Sequence, residues 1–151
     1  MAKALVPLAE GFEDIEAVSI IDILRRGGVE VVIAAMADEL DVVSAHGVTV
    51  RADRKFADVA EDEYEAIVLP GGGPGTERLR RSEKLLKRLV RQRERGGLVS
   101  AICAAPVVLA DAGLIERSQH ATCYPSCQME LDCPWVNQPV VEHNGIITGQ
   151  G

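Results

Sequence analysis

Aromatic residues are scarce in this chain: one Trp, two Tyr and two Phe in 151 residues. With 47% hydrophobic residues, the core must therefore be built from Val, Ile, Leu and Ala. No apolar run approaches the ~18 residues of a membrane span. The start, Met1-Ala2-Lys3-Ala4-Leu5-Val6-Pro7, is too short and strand-like for a signal peptide. There is no basic surplus either. A net charge of −7 argues against nucleic acid as the main partner. Repeats, low-complexity tracts and linkers are missing, so residues 1–151 are expected to form one domain in the cytoplasm, with reduced thiols.

Other absences narrow the chemistry. No C-x-x-C pair exists among Cys103, Cys123, Cys127 and Cys133. His120 precedes the last three, but the spacing fits no common zinc pattern, so no metal is expected. The Gly71-Gly72-Gly73-Pro74-Gly75 stretch lacks the Gly-Lys-Ser/Thr of a phosphate loop. Histidine is limited to His46, His120 and His143, and none adjoins a cysteine in sequence.

What is present reads as alternating strands and helices. Strands are expected over Ala2–Ala9, Val29–Ala35, Ala66–Leu69 and the Leu98–Ile102 run. Helices are expected over Glu13–Arg26, from a Ser82 cap to about Arg95, and over Ala104–Ala112. Val42–Val50 reads as a polar excursion turning at His46-Gly47. Val140–Thr148 reads as a hairpin around Asn144-Gly145. Strands that are apolar throughout and alternate with helices imply a mostly parallel sheet with helices on both faces.

In such sheets, sites form at the C-terminal ends of strands. Three segments fall there: the Glu10 to Glu16 turn, the Gly71 to Gly75 turn, and Cys103. Cys103 sits at a strand-to-helix corner, with Pro106 inside the first helical turn. A helix N-terminus there favours thiolate over thiol. The glycine turn lets backbone N–H groups approach a ligand, as an oxyanion-type donor pair does. Composition does not select among Glu13, Asp14 and Glu16 as an acid. Whichever faces the sheet end is desolvated and has a raised pKa.

These residues resemble the ThiJ/PfpI superfamily, and within it the DJ-one branch. The matching stretches are Ala4-Leu5-Val6, Glu10 to Ala17, Asp22 to Gly28, Tyr64 to Gly72, and Ala101-Ile102-Cys103-Ala104-Ala105-Pro106. The resemblance implies a flavodoxin-like sandwich and a homodimer. It makes Cys103 the reactive thiol on a nucleophile elbow and Glu16 the carboxyl that hydrogen-bonds it. Gly71 and Gly72 become neighbouring backbone donors, and Ala104 and Tyr124 candidate substrate contacts.

The activity implied is a cofactor-independent glyoxalase or deglycase acting on small reactive 2-oxoaldehydes. The alternative is an oxidative-stress sensor or chaperone whose cysteine is oxidised without turnover. A peptidase is disfavoured, since the peptidase-like branch carries His where Ala104 stands. Tyr124-Pro125 replaces a His-Pro common among relatives. Relatives also continue past the Gly149-Gln150-Gly151 turn into a helical segment, so the domain is expected to be truncated, with apolar surface left open on one sheet face.

Overall fold

A computed structural model describes residues 1–151. The first strand, β1 (Lys3–Leu8), leads into helix α1 (Asp14–Arg26). Glu13 caps that helix, its carboxylate accepting the Glu16 N–H at 2.8 Å. Asp14 and Glu16 in the first turn and Arg25 and Arg26 in the last suit the helix dipole. Next come β2 (Glu30–Ala35) and the antiparallel pair β3 (Asp41–Val43) and β4 (Thr49–Arg51). The short β5 (Arg54–Lys55), α2 (Phe56–Val59) and β6 (Ala66–Leu69) complete the first half.

In the second half, α3 (Gly73–Arg80) and α4 (Glu83–Glu94) precede β7 (Leu98–Ile102) and α5 (Pro106–Asp111). The Ser82 hydroxyl accepts the Leu85 N–H, giving α4 the expected cap. A 3-10 turn (Pro125–Glu130) then leads to the hairpin β8 (Val140–His143) and β9 (Ile146–Gly149). Asn144 and Gly145 both have positive φ, as the two-residue hairpin turn requires.

The main sheet has seven strands in the order β5-β2-β1-β6-β7-β9-β8. All its pairings are parallel except β8 with β9. This is the expected α/β sandwich with a mostly parallel sheet. Its two faces are covered unequally. Leu5, Ala34, Ile67, Leu69, Val99 and Ala101 point to the face carrying α2, α3, α4 and α5, where 23 buried residues form the larger core. Val6, Leu8, Val31 and Ile33 point the other way, where α1 contributes Ala17 and Ile21 to a cluster of 10. On that second face Ser100, Ile102 and Ile147 are only half-buried.

Two readings of the helices need correcting. The Gly71–Gly75 stretch is more than a turn: α3 begins inside it, with Pro74 in the first turn, where its missing N–H costs nothing. Thr76 and Leu79 bury the inner side of that helix. The helix after Cys103 starts at Pro106 rather than Ala104, leaving Cys103, Ala104 and Ala105 as a turn.

Candidate functional site

Strands β1, β6 and β7 end side by side, so the loops that follow them share one edge of the sheet. The order reverses between β1 and β6, which opens a crevice there. Glu16 enters it from the first turn of α1, Gly71 from the end of β6, and Cys103 from the end of β7.

Cys103 has φ of 61°, a left-handed conformation that a side-chain-bearing residue adopts only when its surroundings impose it. The constraints are visible. Its N–H donates to the Gly149 carbonyl at 3.0 Å, and its carbonyl accepts the Tyr124 N–H at 2.8 Å. The corner is thus clamped between β9 and the strand-like entry to the 3-10 turn. Clamping lifts Sγ out of the sheet, half-exposed, with the Ala104 N–H directed at it.

The structure separates the three acidic candidates. Glu13 is spent on capping α1. Asp14 accepts from the Ser44 hydroxyl and pairs with His46 Nδ1 at 2.8 Å. Glu16 is the one that faces the thiol. Its Oε2 accepts the Gly71 N–H at 2.8 Å, and the same oxygen and the Cys103 Cβ both crowd Gly71, which sets carboxyl and thiol side by side.

Gly71 is confined to glycine by this contact. A Cβ there would lie 2.5 Å from Glu16 Oε2 and 2.8 Å from Cys103 Cβ. Gly72 is equally confined: its φ is 98°, and a Cβ would meet Glu13 N and Gly11 O at 2.5 Å. The Gly71 N–H already serves Glu16, so Gly71 orients the carboxylate. Gly72 forms the N-cap of α3.

The expected lowering of the thiol pKa is also corrected. Burial pushes Cys103 up first, and the neighbouring Glu16 carboxyl pushes it further, to about 12. The Ala104 N–H opposes this but does not outweigh it. Helix α5 starts three residues later and is only six residues long, so its dipole contributes little at Sγ. Glu16 is raised as well, by desolvation first, against the lowering influence of the neighbouring Cys103 thiol and the Gly71 N–H. Two acids facing each other titrate as a pair.

The remaining candidates lie further out. Tyr124 touches the corner through its backbone, while its side chain is exposed. All three histidines are exposed. Cys123 is buried and pushed up to about 12, chiefly by burial. A residue that sequence reasoning did not single out is Gly151, whose Cβ would sit 3.2 Å from Cys103 Sγ. The glycines at 149 and 151 are its only sequence signal. Glu13, Asp14 and His46 bring ligand-type atoms within 4.8 Å of one another, but each is already engaged by capping or by its neighbours.

Residues 2–151 match the model of the DJ-1/PfpI family. The chain is 39% identical over 151 residues to Protein DJ-1 homolog B of Arabidopsis thaliana, covering 99% of this chain and 34% of that protein. It thus spans about a third of that plant relative's length. A protein named a deglycase from Pyrococcus abyssi is 33% identical over 142 residues, covering 92% of this chain and 84% of that protein. Among solved structures, oxidized DJ-1 of Toxoplasma gondii superposes with a TM-score of 0.93 at 40% identity, covering 100% of this chain and 83% of that one. No helix here is long and apolar enough to cross a membrane.

Proposed function

Because the chain belongs to the DJ-1/PfpI family, we propose that it acts on small reactive 2-oxoaldehydes, with Cys103 as nucleophile and Glu16 as acid and base. The observation that carries this is the Glu16 carboxyl held by the Gly71 N–H beside a thiol on a left-handed corner. The family and the deglycase-named relative support the substrate class.

The raised pKa of Glu16 makes its carboxylate a stronger base than an exposed one. Glu16 takes the thiol proton as Sγ bonds to the aldehyde carbon. It then gives that proton to the aldehyde oxygen, completing a hemithioacetal. The same carboxylate next removes the hydrogen on that carbon. The electron pair forms an enediolate, with the negative charge on the former ketone oxygen. Glu16 returns the proton to the adjacent carbon while the hydroxyl proton passes to the ketone oxygen. The result is a thioester of a 2-hydroxy acid on Cys103. Water hydrolyses it, releasing the hydroxy acid and the thiol. No cofactor enters any step.

The test is lactate formation from methylglyoxal without glutathione. The parent should produce lactate, and Cys103→Ala should produce none above the uncatalysed rate. Equal rates would refute the assignment. A second reading has Cys103 oxidised to a sulfinate held by a protonated Glu16. The half-exposed thiol and the oxidized Toxoplasma structure favour it. Peroxide should then add two oxygens to Cys103 before any other thiol.

A further inference from the structure

A cavity of about 510 Å³ lies at the opposite edge of the sheet. The segments entering β6 and β7 line it, together with Arg88, Gln92 and Arg95 on the α4 side. Leu98, on its wall, is five residues along β7 from Cys103. At about 3.3 Å per strand residue the two ends are about 16 Å apart. Nothing in the proposed chemistry uses this cavity.

Arg88 is the residue that needs explaining. Leu85 and Leu89 form the buried stripe of α4, and Arg88 and Gln92 occupy the same stripe at helical spacing. Arg88 is only 3% exposed. Its Nη2 donates to the Asp62 carbonyl at 3.0 Å, but Nε and Nη1 meet no acceptor. No carboxylate pairs with it. Glu61, the near candidate, is engaged by Arg91. Arg91 and Arg95 add further positive charge. A guanidinium does not shed its proton in a protein. The Tyr64 ring, 5.8 Å from Cζ, offers a weak cation–π contact and no counter-charge.

The two acidic residues at the cavity do not resolve this. Glu65 accepts the Lys3 N–H at 2.6 Å, and Glu63 is exposed at the rim. Burying a charge without its partner is destabilising, and native proteins supply the partner. Nε and Nη1 are closed to solvent as the chain stands, but Arg88 lines the cavity, so an anion there pairs with the guanidinium once its side chain turns outward.

We propose that this cavity binds a small oxyanion, a carboxylate or a phosphate, whose charge pairs with Arg88. Planar carboxylates and phosphates match the guanidinium fork. The flanking Glu63 and Glu65 restrict the site to a small ligand and disfavour an extended polyanion.

The experiment titrates the full 151-residue chain with acetate and with inorganic phosphate, each against chloride at matched ionic strength. Calorimetry and thermal melting are the readouts. Saturable binding and a raised Tm with at least one anion are expected, and the two arms tell carboxylate from phosphate. Arg88→Met, similar in length and uncharged, should weaken that binding at least tenfold while melting no lower than the parent in chloride. The Arg88 Nε–H resonance needs no variant and should move on titration. Binding should persist after Cys103 is alkylated, which separates this site from the thiol. The proposal fails if neither anion saturates, or if Arg88→Met responds like the parent. It also fails if the Nε–H resonance stays still, or if alkylation abolishes binding.

Discussion

The two ends of the parallel sheet handle buried charge in opposite ways. At the C-terminal end, Glu16 and Cys103 are both acids, both desolvated, and each has its pKa raised. At the N-terminal end, Arg88 is a buried cation lining a cavity, with two N–H groups that have neither a partner nor solvent contact. The first end is marked by crowding: a left-handed cysteine, and glycines whose Cβ atoms would collide with Glu16 and Cys103. The second is marked by volume. Cavity size therefore points away from the thiol, and backbone strain with glycine contacts points toward it.

The largest effect expected from breaking this contrast is at Glu16. Glu16→Gln keeps the shape and a hydrogen bond but cannot carry a proton. It should lower kcat for lactate formation about 10²-fold or more, with KM changing far less. An unchanged kcat would remove Glu16 from proton transfer. Gly71→Ala comes next. Its methyl group must displace the carboxylate or the thiol, and a misplacement of about 1 Å can cost about 10²-fold. Activity near that of the parent would show that the site tolerates a shift.

At the other end, Gly97→Ala should act on stability. Its Cβ would fall 2.1 Å from Gln92 Nε2, which donates to the Tyr64 carbonyl at 2.8 Å. Losing that buried bond costs about 1–3 kcal/mol. Denaturant melts should show the loss, while activity per folded molecule should match the parent.

The smallest effect is a pH dependence. Glu16 has a folded pKa above its ordinary value, so the folded state binds the proton more tightly than the unfolded state. Its contribution is fully present below the unfolded pKa and is lost as pH rises through the folded pKa. Glu16→Gln should therefore melt higher than the parent at pH 8, with the difference closing below about pH 4. A constant difference across pH would mean the carboxyl is not desolvated.

Much of this layout is legible in the sequence. The apolar runs at Ala66–Leu69 and Leu98–Ile102 are too short for helices and too apolar for a half-exposed strand, which makes them central parallel strands. Ser82 caps its helix, and Asn144-Gly145 turns the hairpin, because those local interactions need no tertiary partner. Helix α3 is not legible, since Gly73-Pro74-Gly75 is turn chemistry and only the packing of Thr76 and Leu79 stabilises a helix there.

At the site, the family resemblance carries Glu16, which the residue pattern alone leaves level with Glu13 and Asp14. Capping and the Ser44–His46 contacts are what remove those two. The direction of the thiol's pKa is not legible either. It depends on the distance to Glu16, which lies on α1, 87 residues before Cys103 in the chain. Arg88 reads in sequence as one more charge on a basic helix, and only its place on the buried stripe distinguishes it.

The central claim is that Glu16 and Cys103 act as one titrating pair. The most direct measurement is the pH profile of Cys103 alkylation by iodoacetamide, read by peptide mass, in the parent and in Glu16→Gln. In the parent the rate should still be rising at pH 10, because the thiol is held up by burial and by the neighbouring carboxylate. Removing that charge should shift the profile to lower pH and speed alkylation at pH 9, in the same variant whose turnover falls. Coincident profiles would contradict the account, since a thiol that does not feel Glu16 cannot share a proton with it.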